Sequence, residues 1–342
     1  MAVSSIRQFH SRSARRSPIH NGGWRSFFVV AMLFLPVFAH AWEALEDGLD
    51  HALVTVGKWA AGLEEKHQAL TPGCEVSYFD NGNSSNENGS APQTLVLVHG
   101  FSANKNLWLR IAVSLKNYHV LIPDLAGHGQ SCYREGVPHT VPYYAGFLHQ
   151  WLQTMGVGSV HLAGNSMGGW VAAQYALTYP SEVKTLALMD SAGVSSPVQS
   201  TFSRLQAQGD NVFFFSDEAG YDRLSQLAMV TPPALPGLVK RSHLRAYLAL
   251  QPRFRQLFAD INDAEGFAKN QLLDSRLGEL HVPTLIVWGK QDQVVDVAMA
   301  EVFHRGIAGS EVSLLDNVGH VPMVEAAEAT AAIYQQFLTA HP

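Results

Sequence analysis

The sequence predicts an α/β protein: a mostly parallel sheet with helices on both faces and a helical cap inserted before the last two strands. Three observations predict it. From about residue 94 onward, short apolar runs alternate with helix-length segments, the rhythm of a parallel sheet crossed by helices. Between about residues 195 and 278 that rhythm lapses, and afterwards it resumes. A Gly-x-Ser-x-Gly stretch, Gly164-Asn165-Ser166-Met167-Gly168, lies between an apolar run and a helix former.

Taken in order, residues 1–41 read as a targeting segment. They hold Arg7, Arg12, Arg15, Arg16 and Arg25 and no acid, followed by the apolar run from Phe27 to Ala39 and an A-x-A-like Ala39-His40-Ala41. The run is shorter than the roughly 20 residues of a spanning helix. Both a cleaved export signal and an uncleaved anchor fit. Residues 42–70 read as an amphipathic helical segment, with Trp42, Leu45, Leu49, Leu53, Val56, Trp59 and Leu63 at steps of three and four. That stripe suits a membrane surface or a helix packed on its own domain. Glu43, Glu46, Asp47 and Asp50 opposite it argue against anionic lipid.

Asn81 to Pro92, rich in Asn, Ser and Gly, reads as an exposed loop. Strands are expected at Thr94–Val98, Val120–Ile122, Ser159–Ala163, Thr185–Met189, Pro283–Trp288 and Glu311–Leu315. Helices are expected at Leu107–Leu115, Tyr143–Met155, Gly169–Leu177, Val297–Arg305 and Ala326–Leu338. The core is thus read as residues 71–194 and 279–342, with the cap at 195–278. The cap includes Val212-Phe213-Phe214-Phe215, a proline-rich Thr231–Pro236 and a helical Leu244–Leu250. Cys74 and Cys132 could pair in an exported protein, but nothing in the sequence brings them together, so two buried or free thiols is the preferred reading.

With 342 residues, 47% of them hydrophobic, the chain can bury a large core. A net charge of −6 leaves no basic footprint for nucleic acid. Beyond residue 41 the balance is 18 basic against 29 acidic side chains, which favours neutral or apolar substrates.

A serine at a sharp strand-to-helix turn holds its hydroxyl clear of the sheet, and the free N–H groups of the helix start face any anion formed there. Serine is a poor nucleophile alone and needs an oriented base. His320, in a glycine-containing loop after the last strand, is the base candidate. Asp292, directly after the strand at Pro283–Trp288, is the acid that would orient it; Asp190 and Asp296 are its rivals. His99, His128 and His161 are assigned structural roles. The oxyanion donors are expected to be the backbone N–H groups of Met167 and of Phe101, the latter in the loop His99-Gly100-Phe101-Ser102. No clustered Cys/His pattern indicates a metal, and the chemistry needs no cofactor.

These residues resemble the α/β-hydrolase superfamily from roughly Val76 to the C-terminus. The landmarks are His99–Lys105, Pro123-Asp124-Leu125-Ala126-Gly127-His128-Gly129-Gln130-Ser131, the Ser166 elbow and the His320 loop. Trp288–Val297 and Leu314–His320 look more narrowly like membrane-associated monoacylglycerol lipases of the α/β-hydrolase-domain type and related bacterial lipases. The resemblance implies an eight-stranded sheet, Ser166, Asp292 and His320 as catalytic triad, and Phe101 and Met167 as oxyanion hole. The expected function is hydrolysis of acylglycerols or other lipid-like esters through an acyl-enzyme. A carbon–carbon bond hydrolase of ring-cleavage dienones shares the Gly-Asn-Ser-Met-Gly-Gly elbow but usually has a glycine-rich oxyanion loop. A non-catalytic binding protein would typically have lost a triad member.

Overall fold

The computed structural model describes residues 24–83, 92–263 and 266–342, with the side chains of 24–42 excepted. Most of the loop expected at 81–92, and residues 1–23 of the targeting segment, lie outside the described residues. Residues 1–45 form one unit and residues 46–342 another. The helix α1 (Trp24–Ala61) supplies the described part of the first unit. No helix among the described residues is long and apolar enough to cross a membrane.

The second unit is built on an eight-stranded sheet: β1 (Glu64–Thr71), β2 (Cys74–Asp80), β3 (Thr94–Val98), β4 (His119–Pro123), β5 (Val160–Asn165), β6 (Val183–Met189), β7 (Thr284–Gly289) and β8 (Glu311–Leu315). The spatial order is β1-β2-β4-β3-β5-β6-β7-β8. β1–β2 and β2–β4 pair antiparallel; every later pair is parallel.

The central strands are apolar throughout because both faces are covered. In β3, Val96 and Val98 join one core with Trp151 and Tyr144 of α2 (Val141–Thr154), Trp170 of α3 (Met167–Thr178) and Phe303 of a later helix, Ala298–Gly306. The intervening Leu95 and Leu97 join the other core, with Trp108 and Ile111 of the short helical stretch after β3 and Tyr334 and Phe337 of the C-terminal helix. Period-two alternation along a strand sends neighbours to opposite layers.

Between β6 and β7 stand three helices of the expected insertion: α4 (Thr201–Ala207), α5 (Glu218–Ala228) and α6 (Gly237–Ile261). The two helices already mentioned are α7 (Ala298–Gly306) and α8 (Ala327–Ala340). α6 runs through Pro252, where the sequence suggests a break.

Three expectations are corrected. The segment at 42–70 is not helical throughout. Gly62, at φ +68°, ends α1 with Leu63 N–H donating to Lys58 O, and the chain turns into β1. The apolar stripe of α1 is not its packed face: Leu49, Leu53, Val56 and Trp59 are exposed, Trp59 at 82%. Its acids face the protein instead. Glu46, only 4% exposed, pairs with Arg241 and Arg245 of α6, Asp47 accepts from Ser242 and Arg245, and Asp50 meets His243. The cysteines are not separate thiols: Cys74 and Cys132 form a disulfide, Cα–Cα 5.0 Å. Pairing of β2 with β4 brings the first residue of β2 against the loop that follows β4.

Candidate active site

Ser166 sits between β5 and α3 at φ 57°, ψ −123°, a conformation that L-residues rarely adopt. The elbow is pinned on both sides. Ser166 N–H donates to Met189 O of β6, and Ser166 O accepts from Trp170 N–H and Ala192 N–H. Glycine is required beside it. A Cβ at Gly164 would lie 2.2 Å from Gly168 O, and one at Gly168 would lie 2.3 Å from Val98 O. With no Cβ at either position, the turn closes tightly enough to leave Ser166 partly exposed above a buried neighbourhood.

His320 and Asp292 come together as expected. His320 Nδ1 lies 2.8 Å from Asp292 Oδ2, and both residues are buried. Asp292 Oδ1 accepts from the N–H groups of Val294 (2.7 Å) and Val295 (3.1 Å), so the carboxylate is fixed before it meets the imidazole. Its ionised form leaves His320 Nδ1 as the protonated nitrogen and Nε2 as the free base. Asn165, immediately before the serine, donates from Nδ2 to both Met189 O and His320 O, at 3.0 Å each. That bridge ties the histidine loop to the elbow. Among the described residues the Ser166 hydroxyl makes no hydrogen bond, so the elbow and the histidine loop are linked through the Asn165 side-chain amide. Unliganded catalytic pairs commonly tighten only with substrate present. The loop is also held from the cap, since His320 N–H donates to Ala228 O at 2.7 Å.

The proposed oxyanion donors are unoccupied. Among the described residues, neither Phe101 N–H nor Met167 N–H donates a hydrogen bond within the protein. The loop bearing Phe101 is fixed by a buried ionic knot: Asp124 accepts from Lys105 N–H (2.8 Å), Lys105 Nζ (2.7 Å) and Gln130 N–H (2.9 Å). Lys105 Nζ also reaches Glu65 of β1 at 3.0 Å. His99 accepts from Leu125 N–H at Nε2 and contacts Gly100 O through Nδ1, which requires the Nδ1-protonated neutral ring. Burial pushes His99 down to about 4 and His128 down to about 3, so both stay neutral. His161 bonds Thr185 across β5 and β6.

Sequence reasoning assigned no function to Asn165, Lys105 or Asp124, although the first lies inside the elbow motif and the others in the loops quoted for the resemblance. Asp190, a rival acid, is fully buried beside the pair at φ 47°. One side-chain nitrogen or oxygen from each of Asp190, Asp292 and His320 falls within a span of 4.8 Å. Asp296, the other rival, caps α7 by accepting from Ala298 N–H.

Phe101 packs against aromatics of the insertion, Phe213 (5.2 Å), Phe258 (5.5 Å) and Phe254 (5.8 Å). A cavity of about 640 Å³ opens between Phe202 and Gln206 of the cap and Val294, Val295 and Met299 of the core, bordering the Asp292 loop.

An eight-stranded, mostly parallel sheet with an elbow serine after β5 and an Asp–His pair on the loops after β7 and β8 defines a protein of hydrolase architecture. The chain belongs to the alpha/beta hydrolase fold family, whose pattern matches residues 93–327. It is 33% identical over 299 residues to Lipase 1 of Psychrobacter immobilis, covering 86% of this chain and 90% of that one. It is 30% identical over 289 residues to monoacylglycerol lipase abhd6-B of Xenopus laevis, covering 78% and 83%. A crystal structure of a membrane phospholipase A, described as a bacterial virulence factor, superposes with a TM-score of 0.81 at 33% identity, covering 92% of this chain and 98% of that one.

Proposed function

We propose that this chain is a serine carboxylic-ester hydrolase acting on acylglycerols or other lipid-like esters through an acyl-enzyme on Ser166. The observation that carries the reading is the 2.8 Å Asp292–His320 contact on a loop bonded to the residue preceding Ser166. In the proposed reaction the Ser166 hydroxyl hydrogen-bonds to His320 Nε2 as the substrate complex tightens. The oxygen attacks the ester carbonyl while the imidazole takes its proton, and Asp292 stabilises the imidazolium. Phe101 N–H and Met167 N–H hold the oxyanion. The imidazolium then protonates the departing alcohol, and water, deprotonated by the same imidazole, releases the acid and restores Ser166.

The lipid class is supported by three relatives named as lipases or a phospholipase and by the aromatic cap over Phe101. Residues 195–278 serve as the cap of this site, between core segments 71–194 and 279–342. The disulfide supports export, since such bonds persist in oxidising compartments. The exposed Leu49, Leu53, Val56 and Trp59 of α1 support contact with a lipid surface, with the N-terminal segment as signal or anchor.

The test is a p-nitrophenyl ester series of rising chain length, with monoacylglycerol as a second substrate. Ser166→Ala is expected to lose on the order of 10⁴-fold in kcat. Turnover of a ring-cleavage dienone with no ester turnover would instead identify the carbon–carbon hydrolase, and turnover of neither would identify a binding protein.

A further inference from the structure

We propose that Asp190 is held as a neutral carboxylic acid whose Oδ2 hydroxyl donates to the Asp292 carboxylate, making it a positioning residue for the Asp292–His320 pair. The inference rests on the triad reading above. Asp190 directly follows β6 and is buried completely. Its Oδ1 accepts from Gly289 N–H of β7 at 2.9 Å. Its Oδ2 is buried and has no N–H or O–H donor. Side-chain atoms of Asp190, Asp292 and His320 lie within 4.8 Å of one another, which sets the Asp292 carboxylate beside the Asp190 side chain.

Two carboxylates in one dry site cannot both ionise. The hydrogen bonds decide where the proton rests. Both oxygens of Asp292 already accept, Oδ1 from two backbone N–H groups and Oδ2 from His320. Asp190 Oδ2 accepts from nothing, so a proton there converts an orphaned acceptor into a donor and adds a bond to Asp292. Burial first, and the Asp292 charge second, raise Asp190 well above the ordinary carboxylate range, against the opposing bond from Gly289. The charged and titratable groups acting on it are Asp292, His320 across the pair, and more weakly Glu325. Glu325 is itself engaged by Gly319 N–H and Thr231 N–H.

The consequence lies with the base. A fourth donor draws charge from Asp292 and tempers its hold on the imidazolium, which leaves His320 free to accept a proton at lower pH. Asp190→Asn keeps both bonds, since its amide oxygen can accept from Gly289 and its NH₂ can donate to Asp292. Asparagine also tolerates a positive φ. Asp190→Gly removes both bonds without backbone strain.

Infrared difference spectra of wild type minus Asp190→Asn at neutral pH should show a protonated-carboxyl band belonging to the wild type. The Asn variant should keep kcat/KM within about 3-fold and leave the acid limb of its pH profile in place, because the donor survives. Asp190→Gly should move the acid limb up by about one pH unit, a tenfold loss at a fixed pH on that limb. Absence of the band overturns the proposal, as does an unmoved acid limb in a folded Gly variant. If the Gly variant does not fold, the infrared comparison decides alone. The band needs no turnover, so its presence in a protein that cleaves no ester would refute the ester reading and leave the Asp190 assignment standing.

Discussion

Opening the Cys74–Cys132 bond should lower stability by an amount set mainly by the loop it closes. The two residues are 58 apart in sequence. Release of that constraint on the unfolded chain corresponds to about 4 kcal/mol at 25 °C. For a folded unit of about 300 residues, with unfolding entropy near 2.1 cal/mol/K per residue, this is a fall in Tm of about 6–7 °C. Reduction of the wild type is the cleaner perturbation, since both sulfurs stay in place and no cavity opens. A Cys74→Ala/Cys132→Ala double variant should fall further, because Cys74 is buried in the core. Scanning calorimetry with and without reductant reads the shift, and thiol titration of the native oxidised protein should find no free thiol. The loops of the candidate site have their own ties in Asp124, Lys105 and Asn165, so the reduced protein at 25 °C should keep kcat/KM within about 3-fold. A reduced form melting within about 1 °C of the oxidised one would refute the loop argument. Two titratable thiols in native protein would refute the bond itself.

Three further outcomes follow from the geometry. Gly168→Ala places a Cβ 2.3 Å from Val98 O and 2.4 Å from His99 O, both backbone; the expected result is loss of soluble folded protein or a drop of several kcal/mol in urea unfolding. Lys105→Met strands Asp124 as an unpaired buried charge, and chemical denaturation should show a loss of about 3–5 kcal/mol. His128 is neutral in the fold and has its value lowered to about 3, whereas in the unfolded chain it protonates near 6.5. The unfolded state therefore binds more protons below pH 6.5. The neutral ring's contribution is complete above 6.5 and is lost as pH falls toward the folded value. Urea unfolding from pH 7 to 4 should lose stability steadily, and His128→Asn should flatten that slope.

The sheet interior was legible because β3 to β7 are buried on both faces and leave continuous apolar runs such as Thr94–Val98 and Thr284–Gly289. The β1–β2 hairpin was not. Glu64-Glu65-Lys66-His67-Gln68 is an edge strand whose polar residues carry no strand signal and follow a helical stripe without a visible break. The orientation of α1 was misread for a different reason. Periodicity shows that a helix has an apolar face and an acidic one, not which face meets the protein. The choice was made by Arg241 and Arg245, nearly two hundred residues away in sequence. The disulfide is likewise a product of sheet order, since β2 and β4 become neighbours only once β3 has been placed beyond them. At the candidate site, Asp292 and His320 were legible from their positions after consecutive strands and do meet. Asn165 and Asp190 were not, because their roles depend on backbone carbonyls and carboxyls contributed by other loops.

The bond from His320 N–H to Ala228 O means that the proposed roof and the proposed general base share one hinge pin. Were the whole roof to lift, the imidazole's main chain would come loose at the moment a long-chain guest arrived. Entry through a seam at the eaves, with α5 left seated, keeps the proton acceptor aligned throughout. On the proposed reading of His320 as base and residues 195–278 as cap, this bond favours side admission over wholesale unroofing.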